Sequence, residues 1–202
     1  MDLPEKTVSL QSTDALVVVD VQRDFLPAGA LAVPHGDEVV PVINRYIALF
    51  HARGLPVIFT RDWHPANHCS FQQQGGPWPE HCVADTSGAA FAPNLLQPAD
   101  SWVISKATEA QQDAYSGFQG TGLAQRLQQR GCQRLYICGL ATDYCVLETV
   151  KDALTGKFRV FLLQDAIRAV DVHADDGARA IRIMQVAGAR ILSYDDLCEA
   201  QP

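Results

Sequence analysis

Apolar residues along the chain follow two alternating patterns. Ala15 to Val19 (ALVVV) is an unbroken apolar run ending at Asp20, as a strand buried on both faces requires. Val39, Val42, Ile43, Tyr46, Ile47 and Phe50 then recur at helical spacing, and Gly54 closes that helix. Val57 to Thr60 (VIFT) is a second strand, and Trp102 to Ser105 (WVIS) a third that leads into Lys106. Leu123 and Leu127 mark a helix stopping near Gly131, and Arg134 to Cys138 (RLYIC) is a fourth strand. Tyr144, Leu147, Val150, Ala153 and Leu154 describe a helix that ends at Gly156. Phe158 to Leu163 makes a fifth strand, 174–187 a helix, and Arg190 to Leu192 a sixth strand.

Strands alternating with helices predict βαβ units. The expected fold class is α/β: a three-layer αβα sandwich around a mostly parallel, Rossmann-like sheet. The 202 residues suit one domain over 1–202, with no internal repeat or linker. Ligands of such sheets sit beyond the carboxyl ends of the strands. Polar residues stand at those ends: Asp20, Arg61 and Asp62, Lys106, then the stretch from Ala141 to Cys145. The segment from Asp62 to Ser101 is long, irregular and rich in Gly, Pro, His and Trp, and loops of that length inside a compact domain are usually functional.

Composition narrows the partners. The net charge of -7, with no Lys/Arg cluster, argues against nucleic acid and against anionic lipid. The opening MDLPEKTVSLQ has no basic start followed by an apolar stretch, so no secretory signal is expected, and no apolar run is long enough for a bilayer. Without export, the six cysteines are expected to be reduced thiols in the cytoplasm rather than a disulfide framework. A small-molecule partner follows, and a homo-oligomer stays open.

Three constellations carry candidate chemistry. Cys145, in CGLATDYCV, follows a strand and a run of small residues near a helix start, where unpaired N–H groups favour thiolate and can receive an oxyanion. Cys132, Cys138 and Cys198 read instead as ordinary small apolar residues. Asp20 directly after a buried strand needs a partner or a task, and Lys106 at another strand end is placed to keep it ionised. Each alone has a bland reading, as a turn cap or a solvated lysine; together with Cys145 on a third strand end they read as an active site. Asp62 and His64, two apart on an extended segment, face one side, and His81 further along completes a face of three ligands. Mixed carboxylate and imidazole suit Zn, Fe or Mn with water in the open positions. Against that, lone histidines commonly cap turns or face solvent. Phe25 and Trp78 lie near these groups and offer faces for a flat ring.

The segments VVVDVQRDFLPAGALAV, TRDWHPANHCSF, GGPWPEHCV, ISKATEAQQDAYSGF and GLATDYCV, taken together, resemble the nicotinamidases of the isochorismatase-like hydrolases. They run from about residue 15 to 165 in the family's order, and DWHP with WPEHC is their most specific part. The resemblance implies a catalytic triad of Asp20, Lys106 and Cys145. It also implies one divalent ion on Asp62, His64 and His81, with His68, Ser70 or water as a fourth ligand. Phe25 and Trp78 would sandwich a pyridine ring, with Tyr115 a further wall. Ala141 and Cys145 amides would form the oxyanion hole, beside a cis peptide between Leu140 and Ala141. The implied reaction is hydrolysis of nicotinamide to nicotinate and ammonia, in NAD salvage. One departure is Ala107, where the family often has Gly after the lysine. A sister amidase acting on maleamate, an N-carbamoyl compound or a pyrazinamide-like ring would use the same triad. A non-catalytic metal-binding module is the reading from another class, and a metal-free vinyl-ether hydrolase conflicts with Cys145.

Overall fold

The computed structural model of the protein describes residues 7–198, without the side chain of Cys198. The first six residues of the stretch read for an export signal, and the Cys198 thiol, therefore lie outside the described residues.

Six parallel strands make the main sheet: β2 (Asp14–Val19), β3 (Val57–Asp62), β4 (Trp102–Lys106), β5 (Arg134–Leu140), β6 (Arg159–Arg168) and β7 (Arg190–Leu192), in the order β4-β3-β2-β5-β6-β7. A two-strand parallel pair joins β1 (Val8–Ser9) to β8 (Leu197–Cys198), near the two limits of the described residues, and was not legible in the pattern. Every residue of β2 and β5 is buried, as the apolar run Ala15 to Val19 predicts for β2, and the buried charges of Asp14 and Arg134 pair with each other at 2.7 Å.

Alternate residues of these strands feed two cores. Leu16, Val18, Phe59, Tyr136 and Cys138 pack with α1 (Val39–Ala52) on one face. Ala15, Val17, Ile58, Leu135 and Ile137 pack on the other face with α2 (Leu123–Gln129), α3 (Leu147–Thr155) and α4 (Asp176–Val186). This is the expected αβα sandwich, and no helix among the described residues is long and apolar enough to cross a membrane.

Two elements differ from the pattern. β6 runs on to Arg168, because Asp165 inside it is satisfied by the Tyr46 hydroxyl (2.8 Å) and the Tyr194 amide (3.0 Å), so a polar residue does not end the strand. The helix expected from Tyr144 begins as α3 at Leu147, after a π-helical turn, Thr142–Val146, that contains Tyr144 and Cys145.

The strand order also locates the site. β2, β3 and β4 build outward in one direction, and the chain then returns to set β5, β6 and β7 on the other side of β2. The order reverses between β2 and β5, and a crevice opens where such a reversal occurs. Asp20 follows β2 and Cys145 follows β5. Gly139 makes that close approach workable: at φ 114° it lies so near β2 that a Cβ would meet the Val19 carbonyl oxygen at 2.0 Å.

Candidate active site

Asp20 leaves β2 at φ 48° and is fully buried. Its Oδ1 accepts the Thr60 hydroxyl at 2.6 Å. Oδ2 lies 3.0 Å from Lys106 Nζ, an ion-pair contact rather than a well-directed hydrogen bond, so that oxygen keeps acceptor capacity. The Lys106 ammonium also donates to Asp62 Oδ1 at 2.5 Å, to the Ala114 carbonyl at 3.1 Å and to Cys145 Sγ at 3.5 Å. The three groups expected to form a triad thus meet, on three strand ends.

Their charges are set by enclosure and by one another. Burial alone would lower Lys106, but Asp20, Asp62 and Cys145 around it hold its ammonium well above the ordinary lysine range. Burial raises Asp20 and outweighs the pull of Lys106. Cys145 also sits well above the ordinary thiol range, through burial first, opposed by Lys106 and reinforced by Asp20 and Asp62. That direction is opposite to the one expected of a cysteine near a helix start: the residue is buried, at 7% exposure, within the π-helical turn that precedes α3.

The Asp62, His64 and His81 ligand atoms lie within 4.8 Å of one another, all buried. His64 Nδ1 is 3.2 Å from the Ala107 carbonyl, and His81 Nδ1 is 2.8 Å from the Pro79 carbonyl. A carbonyl only accepts, so each Nδ1 carries the hydrogen and each Nε2 presents a lone pair. His64 Nε2 is buried with no hydrogen-bond partner. Burial, with His81 and His68 nearby, lowers the His64 pKa to about 3, which keeps the ring neutral as a ligand must be. This donor set fits a divalent cation. Asp20, Asp62 and Cys145 also cluster within 4.8 Å, but the Lys106 ammonium already supplies the positive charge among them.

Of the two side chains expected as fourth-ligand candidates beside water, the structure separates the roles. His68 has its Nε2 at 3.2 Å from the Gln112 carbonyl and its Nδ1 at 2.7 Å from Ser70 Oγ, so both ring nitrogens are engaged. Ser70, not His68, lines the cavity.

That cavity joins the constellations. Cys145, Ala141, Asp62, His64 and His81 line it together with Phe25, Trp78 and Tyr115. Asp20 and Lys106 stand behind this wall, at 0% and 1% exposure. The Trp78 ring N–H donates to the Tyr115 hydroxyl at 2.9 Å, and Phe25 lies 5.7 Å from the His81 ring. The Leu140–Ala141 peptide is cis, as the resemblance implied. Ala107, standing where glycine is usual, adopts φ 51°, a conformation glycine takes without cost.

The pattern reading missed several site residues. Tyr144 looked like a core position of a helix, yet it lines the cavity with its ring 5.1 Å from Trp78. Leu31, Val33 and Val170 complete the apolar wall, and only folding brings those loops together. Thr60 ended an apolar strand, and its hydroxyl had no legible task. A buried hydroxyl needs a partner, which was the one available signal.

Comparison with known proteins shows the family. The isochorismatase domain model matches residues 14–196. The chain belongs to the isochorismatase family. It is an isochorismatase-like hydrolase, and among its relatives is the nicotinamidase of Escherichia coli (strain K12), 40% identical over 208 residues that cover 93% of this chain and 98% of that protein. The pyrazinamidase of Pyrococcus horikoshii, solved in complex with zinc, superposes with a TM-score of 0.87 at 49% identity, covering 90% of this chain and 99% of that one. PnC1 of L. infantum, solved with nicotinate, gives a TM-score of 0.88 at 36% identity, covering 95% and 98%. The expected resemblance and fold hold.

Proposed function

We propose that the chain is a single-domain, metal-dependent nicotinamidase that hydrolyses nicotinamide to nicotinate and ammonia through a thioester on Cys145. The observation that carries this is one cavity lined at once by a buried cysteine, by a three-ligand cation set and by aromatic walls. The names of the relatives support the substrate, and the zinc of the Pyrococcus horikoshii structure supports the cation.

Asp62, His64 and His81 would hold the ion, with Ser70 or water completing its shell. When bound, a divalent cation supplies an electron-pair acceptor that fixes a pyridine nitrogen. Phe25 and Trp78 hold the ring from its faces, with Tyr115 and Tyr144 as further walls, so that the carboxamide carbon is presented to Cys145. Asp20 Oδ2 takes the thiol proton as the sulfur bonds to that carbon. The Ala141 and Cys145 amides receive the oxyanion. Asp20 returns the proton to the nitrogen, the C–N bond breaks and ammonia leaves. Asp20 then takes a proton from a water that attacks the thioester, and gives it back to the sulfur as nicotinate departs. Lys106 balances the charge on Asp20 throughout.

The test is ammonia release from nicotinamide by wild type and Cys145→Ala, beside intact-protein mass spectra of quenched turnover. Loss of release in the variant and a nicotinoyl adduct on wild type are expected. Full release by Cys145→Ala would defeat the mechanism, and a panel including maleamate, an N-carbamoyl amide and pyrazinamide would expose a sister amidase.

A further inference from the structure

Between Asp20 and Phe25 stand polar residues to which the proposed chemistry gives no task, and one of them, Gln22, is completely buried. A buried amide must satisfy its acceptor and both donor hydrogens. Gln22 Oε1 accepts the Asp62 amide at 2.8 Å. Its Nε2 donates to the Asp62 carbonyl at 2.8 Å and to the Ala89 carbonyl at 2.9 Å. The main chain of Asp62 is therefore gripped on both its N–H and its C=O by a single side chain. Glutamate would lack the donors and methionine both functions.

Two residues on, Asp24 treats the neighbourhood of His81 in the same way. Its Oδ2 accepts the Cys82 amide at 2.7 Å, and its own amide donates to the Gly88 carbonyl at 3.1 Å. A Cβ on Gly88 would come within 2.1 Å of Asp24 Oδ2, so the loop closes on this carboxylate only because residue 88 has no side chain. Ala89, which Gln22 holds, is the next residue along.

We infer that Gln22 is a positioning residue for the cation site: by clamping the Asp62 main chain it holds that carboxylate in register with His64 and His81, and Asp24 supports His81 through the Cys82 amide. The inference rests on the metal reading above. One short segment after β2 thereby carries both the proton acceptor, Asp20, and the groups that orient two of the three cation ligands. The carboxylate of Asp62 faces competing demands, since Oδ1 is bound by Lys106 while Oδ2 is 3.8 Å from His64 Nε2. A main chain fixed from outside is what lets one carboxylate serve both. Residues that orient metal ligands commonly contribute strongly to affinity without touching the ion.

The experiment is zinc affinity by chelator competition, together with thermal unfolding of the metal-free protein, for wild type and Gln22→Met. Should Gln22→Met fail to fold, Gln22→Asn carries the same test, because its amide is one methylene too short to span both Asp62 groups. Zinc affinity is expected to fall about 10- to 100-fold, with turnover restored by saturating zinc. A folded variant with unchanged zinc affinity, even with a lowered unfolding temperature, would reduce Gln22 to a structural residue and overturn the inference. Wild type that binds no zinc and needs none for turnover would instead sink the metal reading, and this inference with it.

Discussion

Lys106 Nζ approaches Asp62 Oδ1 more closely, at 2.5 Å, than it approaches Asp20 Oδ2, at 3.0 Å. A single ammonium therefore serves both the proposed proton acceptor and the proposed cation ligand. The two halves of the site form one electrostatic unit among buried side chains, so neither can be altered without the other responding.

Lys106→Met removes the cation while keeping most of the volume. It leaves Asp20 and Asp62 buried beside each other with no counter-charge, a situation that costs about 3–5 kcal/mol. Urea unfolding of the metal-free variant should show a loss of that order, ammonia release should vanish, and zinc should recover part of the stability. Stability equal to wild type would mean that the two carboxylates share a proton without cost.

Acid should destabilise the metal-free protein through His64. The folded ring stays neutral down to about 3, whereas the unfolded ring takes its proton near 6.5. The unfolded state binds more protons between those values, so this contribution is intact above pH 6.5 and is lost as pH falls toward 3, by about 1.4 kcal/mol per unit. Unfolding free energies at pH 7 and pH 5 should differ in that direction, and His64→Gln should flatten the slope. An unchanged slope in the variant would assign the acid sensitivity to other groups.

Ala107→Gly should stabilise the chain. A side chain at φ 51° carries strain of about 1 kcal/mol, which glycine removes. The His64 contact uses the residue 107 carbonyl, so the main-chain hydrogen bond survives the change. The unfolding temperature is expected to rise by about 2–4 °C. A fall would show that the freedom glycine adds to the unfolded chain outweighs the relieved strain.

Much of the architecture was legible because burial periodicity is a local property. The run ALVVV and the stretch RLYIC identify the two central strands, and the polar residues following them identify the strand ends where a site opens. The Asp62, His64 and His81 grouping is suggested by residue type and spacing, since carboxylate and imidazole are common ligands of divalent cations. Tyr144 was misread because its spacing matches a helix face equally well, and the π-helical turn that redirects it leaves no mark in the pattern. Gln22 and Thr60 were passed over because their task depends on partners 40 residues away.

The sequence by itself determined the layers, the central strands and the inventory of reactive groups, all of which follow from nearest neighbours along the chain. Only the tertiary structure decided that Asp62 stands in register with Lys106 on the adjacent strand, 44 residues on, and that Gln22 closes over Asp62. It also decided that burial, opposed by Lys106, pushes the Cys145 thiol upward. Register across so long a connection is selected by packing of the whole sheet, and a proton's affinity is set by the water and charge that surround it once the cavity is built.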